Sequence, residues 1–537
     1  MTDINRLNPL APVTAAVSKF ATSNVVQGTQ NLLFHRIHNT KESKEVFADY
    51  VTIIRSKPFS KLSPVEKELY KKKLEETCRK LLTRLSRVGL KYEVRRGSDD
   101  LIFVFVLCPL DRLKQESDRS RVHDWLTGVR IRDIDENRDA PLTDAERLRL
   151  VHDIITNPLY EGGANIYPGL GDFEIVEGFL PLHDRIYNED WIKTWSTKWM
   201  IDKDDLLRLR NHFGEKIAYY FAFLQFYCKW LVIPSIVGIV SHFSGAKYSI
   251  PFSIFTVIWS LTFVEFWRRK EYELAVWWGV RNFSRVERRR PEFREERFIT
   301  DPVTGEQVPY FSPWKRWLRR TIAAPVIMSE YYSGPFRDQL KVGPERLVTE
   351  LKYFVLTAQI LSMFTELILP YLIRFGAFSM KRIQNNGATK DGGRNEDESV
   401  FLKRVRKEVK LPVYEIYEDY AEMITQYGYV SLFSTVWPLT PLFALLNNWF
   451  ELRSDAIKLC QHTRRPIPRR ADSIGPWLDN LVILTWFSSI TNPSLIYLYH
   501  YHSDTNAFTS PLSVIIIIAL IWFTEHIFDV VHYLVKQ

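Results

Sequence analysis

Five apolar runs constrain this chain more than any other feature: IAYYFAFLQFYCKWLVIPSIVGIVSHF (217–243), SIPFSIFTVIWSLTFVEFW (249–267), YFVLTAQILSMFTELILPYLI (353–373), WLDNLVILTWFSSITNPSLIYLY (477–499) and PLSVIIIIALIWFTEHIF (511–528). Each is about as long as the roughly 20 residues that an α-helix needs to cross a bilayer core. The chain therefore reads as an α-helical integral membrane protein with several crossings. Between the third and fourth runs lies a shorter pair, GYVSLFSTVW (428–437) and LTPLFALLNNWF (439–450), split by Pro438 and Pro441. This pair reads as a helical hairpin that turns near the prolines.

The residues before these runs have a different texture. A mostly polar segment (1–45) without a secretory pattern precedes a soluble α/β domain (46–212), and the membrane domain occupies 213–537. Within the α/β domain a charged helical run extends from Pro64 to Val88. KYEVRR (91–96) then reads as an edge strand, Gly97 and Asp99 as a short turn, LIFVFVL (101–107) as a buried strand, and 142–156 as a second helical segment. One small sheet of ferredoxin-like type, with helices on one face, accounts for these elements. Composition agrees: 46% apolar, 14% aromatic and 25% charged residues exclude a disordered, collagen-like or disulfide-rich secreted chain. Cys78, Cys108, Cys228 and Cys460 lie far apart without a CxxC pair, so they signal neither a zinc module nor a disulfide framework and read as reduced thiols.

A formal net charge of +9 suits nucleic acid or an anionic membrane surface, and the placement of the charges decides between them. Arg268, Arg269 and Lys270 follow the second run directly, and Arg288, Arg289, Arg290, Lys315, Arg316, Arg319 and Arg320 continue the excess. Basic residues beside spans face the cytosol, which puts this loop and the N-terminus there after two crossings and leaves no role for nucleic acid. Lys381, Arg382, Lys403, Arg404, Arg406 and Lys407, and the RRPIPRR stretch (464–470), belong on the same side by the same rule, with an even hairpin between them. An odd number of crossings must then fall between 320 and 353, where the only apolar run is TIAAPVIM (321–328). At 1.5 Å per residue it covers about 12 Å, far short of a core of about 30 Å. Either the span at 353–373 is re-entrant, or part of the membrane domain is missing from this chain near 328–350.

Ionisable groups inside spans are costly and therefore mark functional positions. Glu366 sits in the middle of the third run. Asp419 and Glu422 are three apart, and Glu451 and Asp455 four apart, so each pair shares one face of a helix. A hairpin turning at 436–437 would bring both pairs level, each roughly 22 Å from the turn. Carboxylates converging at one depth need a multivalent cation, and hard oxygen donors suit Ca²⁺ better than zinc or copper. Asn447 and Asn448 could add amide oxygens, or serve equally well as a doubled Asn at a helix packing seam. The alternative is that Asp419 and Glu422 lie in water before the hairpin, while Glu451 and Asp455 pair with Arg453 and Lys458; spacing alone leaves both open. Glu525, His526, Asp529 and His532 recur along one helix and, with Glu265, form a weaker candidate for a second cation site. GLG (169–171) reads as a turn. No P-loop, HExxH, GxSxG or EF-hand loop is present, and nothing argues for an enzyme.

At these residues the chain resembles the anoctamin family of calcium-activated membrane proteins, and most of all its fungal members. The resemblance runs from about residue 50 to the end, with ERLRLVHDIIT (146–156), FGEKIAYYFAFL (213–224), EFWRRKEYELAVWWGVR (265–281), QYGYVSLFSTVWPLTPLFALLNNWFELRSDA (426–456) and RRPIPRRADSIGPW (464–477) the most specific stretches. It implies a homodimer of ten-helix subunits with cytosolic termini, in the plasma membrane or endoplasmic reticulum. It also implies two calcium ions per subunit, held by acids of the sixth, seventh and eighth helices, which match Glu366, Asp419, Glu422, Glu451 and Asp455. The activity implied is calcium-activated phospholipid scrambling between leaflets without ATP, through a lipid-facing groove that opens when the sixth helix moves towards the metal. A calcium-activated ion channel is the alternative. A membrane-contact tether would need a long cytosolic tail ending in a basic lipid-binding segment, which is not seen here. Two departures stand out: Ser362 occupies a position where the family usually has Asn, and the third helix is reduced to about TIAAPVIM with the fourth and fifth absent. These three crossings are the odd number that the charges demand, and without them the chain would be a calcium-binding remnant.

Overall fold

The computed structural model describes residues 48–55, 64–97, 101–129, 142–245, 248–285, 297–300, 307–310, 344–365 and 396–500, and single residues at 287, 312 and 314. The N-terminal unit comprises β1 (Tyr50–Arg55), α1 (Pro64–Arg87), β2 (Lys91–Arg96), β3 (Leu101–Leu107), α2 (Leu110–Leu126), α3 (Asp144–Thr156) and β4 (Val176–Leu180). Its sheet has the order β2-β3-β1-β4, with each neighbouring pair antiparallel. This is the ferredoxin-like arrangement expected from the sequence, with KYEVRR on the edge and LIFVFVL inside. Thr143 caps α3 by accepting from the Glu146 amide at 3.2 Å. Asp49 anchors the same helix through a 2.6 Å pair with Arg147.

The helices do not all lie on one face. Ile102, Val104 and Val106 of β3 join a core built with α1 and α3. Leu101, Phe103 and Phe105 point the other way, into a second core closed by Phe401, Leu402, Val405 and Val409. Three of those four belong to a helix far along the chain, Glu396–Glu408. A strand apolar on both sides needs two covers, and the basic segment that the charge rule places in the cytosol supplies the second.

α4 (Arg185–Thr197) and α5 (Lys203–Phe213) lead into α6 (Glu215–Phe243) and α7 (Ile250–Trp277). Among the described residues these last two are the helices long and apolar enough to cross a membrane. Their outer faces are apolar: Ile236 is 57% and Val240 65% exposed, with Ile233, Ile254 and Ile258 alongside. Such a surface is the reverse of what water selects. Pro234 inside α6 removes the amide that would bond the Trp230 carbonyl, and Trp259 Nε1 of α7 donates to that carbonyl instead at 3.0 Å. A two-stranded ribbon, β5 (Arg297–Thr300) with β6 (Gln307–Tyr310), follows in the basic loop.

The third apolar run is described as far as residue 365: α8 (Pro344–Lys352), a π-helical turn (Tyr353–Thr357) and α9 (Ala358–Met363). TIAAPVIM and the fifth run lie outside the described residues. The helix that covers the sheet, Glu396–Glu408, is α10. It is followed by α11 (Ile416–Phe433), α12 (Thr440–Ile457) and α13 (Pro476–His500). The chain reverses between α11 and α12 at the predicted prolines. The tip presses on α6 so closely that a Cβ at Gly238 would overlap the Pro438 carbonyl. α13 packs along α11 through a satisfied polar seam: Asn492 Nδ2 donates to the Ser431 carbonyl at 2.9 Å, and Thr435 Oγ1 donates to Asn492 Oδ1 at 2.5 Å.

RRPIPRR lies on the side of the α/β unit and is used there. Arg465 is buried and donates to the carbonyls of Leu182 at 3.1 Å and His212 at 2.9 Å. Arg470 pairs with Asp124 at 2.5 Å. The four cysteines are free and buried.

Candidate metal site

The hairpin sets the acids at one level because its arms are of similar length. Asp419 falls in the first turn of α11, where the exposed amides of a helix start favour a carboxylate. It is 4% exposed. Its Oδ2 accepts from the Tyr414 hydroxyl at 2.6 Å, and its Oδ1 lies 2.8 Å from Lys458 Nζ. On α12 the spacing of four turns Glu451 and Asp455 to the same inward face, where they are 5% and 2% exposed. Ser454 Oγ donates to Glu451 Oε2 at 3.1 Å, and the Tyr220 hydroxyl of α6 donates to Asp455 Oδ2.

Three of the five expected acids are buried in one electrostatic neighbourhood: the charges of Asp419, Glu451 and Lys458 all act on Asp455. Glu422 is half-buried, one turn further along α11. Glu366, and with it the contribution of the third run, lies outside the described residues, as do Glu525, His526, Asp529 and His532. Glu265 is buried and pairs with Arg268 at 2.6 Å.

The alternative pairing expected for these acids is corrected in two respects. Asp419 is not in water. Arg453 does not neutralise the acids: it donates to the carbonyls of Trp449 and Lys198, each at 2.7 Å, and stacks 3.8 Å over the Trp449 ring. Lys458 is a partner of the cluster, but it reaches across the hairpin to Asp419. Tyr220 and Tyr414 carry no signal in the sequence, since each comes from a segment whose approach to the acids is set by packing.

Among the described residues no three His, Cys, Asp or Glu side chains are gathered closely enough to hold a metal ion by themselves, and Glu366 lies outside those residues. The donor set nevertheless fits a hard cation. Among the described residues the side chains gathered here offer oxygen, and the buried carboxylates of Asp419, Glu451 and Asp455 outnumber the Lys458 ammonium. Asn448, one turn before Glu451, has both amide atoms buried without a hydrogen-bond partner. An unsatisfied buried amide is costly, and a divalent ion with six to eight oxygen ligands is the kind of guest that such a site accommodates.

Comparison with known proteins agrees with this architecture. A family model described as "Anoctamin: Calcium-activated chloride channel" matches residues 209–336 and 325–537, and one described as "Alpha-beta plait domain in TMEM16 lipid scramblase" matches 48–176. An uncharacterized protein of Schizosaccharomyces pombe is 25% identical over 556 aligned residues that take in 81% of this chain and 83% of that protein. Mouse anoctamin-10 is 26% identical over 62% of this chain and 65% of its own length. Rat anoctamin-7 is 23% identical over 67% and 62%. The yeast alignment is longer than this whole chain although only part of the chain takes part, so the relative holds residues inside the aligned span that have no counterpart here. With its α/β plait and its helical domain both matched, the chain belongs to the anoctamin family of membrane proteins.

Proposed function

We propose that this chain is a calcium-activated phospholipid scramblase, a homodimer with a cytosolic N-terminus in the plasma membrane or endoplasmic reticulum that moves lipids between leaflets without ATP. The family acts as channels or scramblases rather than as enzymes, and the plait domain matched here is the one described for the lipid scramblases. The observation that carries the calcium reading is the buried cluster of Asp419, Glu451 and Asp455 at the base of the hairpin. These residues, with Glu422 and Glu366, would hold the ion. Bound there, calcium would supply the positive charge that lets the acid-bearing helices approach one another.

The test is leaflet exchange of a labelled phospholipid in liposomes carrying the protein. Glu451→Gln with Asp455→Asn removes two anionic ligands and should raise the calcium concentration for half-maximal exchange at least about tenfold. An unchanged calcium response overturns the site. A second reading is favoured by one specific observation: the family match divides at 325–336, and the yeast relative has internal residues without counterpart. Both support the absence of most of helices three to five, in which case the chain binds calcium without transporting lipid. Calcium binding without exchange at any calcium concentration selects that reading.

A further inference from the structure

Lys458 holds an unusual position. It is the residue after α12 and the first of a π-helical turn, Lys458–His462, a widened geometry that recurs at functional sites. The Thr463 amide and hydroxyl both donate to its carbonyl at 3.0 Å, so its backbone is pinned. Its side chain is only 18% exposed and runs back over the hairpin to Asp419, whose side chain is 3% exposed. The ammonium thus stands among the carboxylates that the proposed function assigns to the metal, but on a flexible stem with a residual opening to water.

We propose that Lys458 is the resident counter-ion of the acid cluster, a tethered monovalent cation that a divalent cation must displace, and that this competition sets the affinity of the site. The proposal rests on the cation-site reading above. The physical reason is charge economy. Buried carboxylates without a cation would repel one another and drive α11 and α12 apart. One ammonium relieves part of that repulsion and holds the helices together in the absence of metal. A divalent ion brought within a few ångströms of Asp419 would face the ammonium as a like charge, so binding is an exchange: the metal enters and the ammonium swings out on its four methylenes. Because the competitor is attached to the same helix, it is always present at high local concentration, and no change in the cell's monovalent salt can remove it.

The experiment measures binding directly on the full chain in detergent. Tb³⁺ luminescence sensitised by the neighbouring Tyr220 and Tyr414 reports occupancy, and Ca²⁺ competition gives its affinity. Lys458→Met keeps the stem and deletes the charge; it should lower the Ca²⁺ concentration for half-displacement about tenfold or more, while Lys458→Arg restores it towards the wild-type value. Equal or weaker affinity in Lys458→Met, with binding still abolished by Asp455→Asn, overturns the proposal and leaves the site standing. Absence of Tb³⁺ binding in the wild type, or binding indifferent to Asp455→Asn, overturns both. Should Lys458→Met not fold, acylation of Lys458 in the wild-type protein followed by mass spectrometry decides. Calcium should accelerate modification severalfold over a chelator, and an equal rate overturns the exchange.

Discussion

The Tyr414 hydroxyl donates to Asp419 Oδ2 across 2.6 Å. Tyr414 belongs to the stretch between α10, which covers one face of the N-terminal sheet, and α11, which carries the acid. Arg464 holds the same stretch, its amide donating to the Pro412 carbonyl at 2.8 Å and its Nε to the Leu411 carbonyl at 2.9 Å. A continuous line of contacts therefore runs from the sheet of the α/β unit through α10 and Tyr414 to the carboxylate cluster.

Tyr414→Phe removes one donor from a buried carboxylate and keeps the ring. A hydrogen bond to a charged group contributes about 1.5–3 kcal/mol, so the unfolding midpoint of the calcium-free protein should fall by several degrees in a thermal scan. A midpoint equal to the wild type would show that Lys458 alone holds Asp419.

Val405 is fully buried between α10 and the sheet, where Phe401 also meets Phe105 with ring centroids 5.7 Å apart. Val405→Asp places an unpaired charge in that seam and should detach α10. Limited trypsin digestion reads this out: cleavage after Lys403, Arg404, Arg406 or Lys407 should be slow in the wild type and fast in the variant. Equal cleavage would mean that α10 is not held by this seam.

Three histidines outside the membrane-spanning helices, His152, His183 and His212, resist protonation. Burial, reinforced by Arg469, lowers His152 to about 4; burial, reinforced by Arg465, lowers His212 to about 3; burial also lowers His183. In the unfolded chain each titrates near 6.5. Above that pH neither state is protonated and stability is complete. Below it the unfolded chain takes up protons that the folded one refuses, so each histidine costs about 1.4 kcal/mol per pH unit until its folded value is reached. Denaturant midpoints should fall from pH 6.5 to 5, and His212→Asn should make that fall shallower. A midpoint independent of pH over this range would contradict the burial of these rings.

Some of this architecture follows from the chain's covalent order. Runs of apolar residues become α6 and α7 because no other backbone conformation satisfies its own polar groups in lipid. The alternation and length of KYEVRR and LIFVFVL place one strand at the edge and the other inside, and Pro438 and Pro441 reverse the chain between α11 and α12. The spacings of three and four then put the acids on common helix faces, and the similar arm lengths bring them level. Glu366 is known at this level alone.

Other features required the tertiary structure. LIFVFVL announces two apolar faces but cannot name α10, almost 300 residues on, as the cover of the second. Lys458 stands three residues from Asp455, which suggests a pair within one helix, yet its ammonium reaches Asp419 on the other arm. Periodicity is a local property, carried by bond geometry over a few residues. The partner of a side chain depends on how distant segments pack, and that is decided by burial and charge across the whole fold.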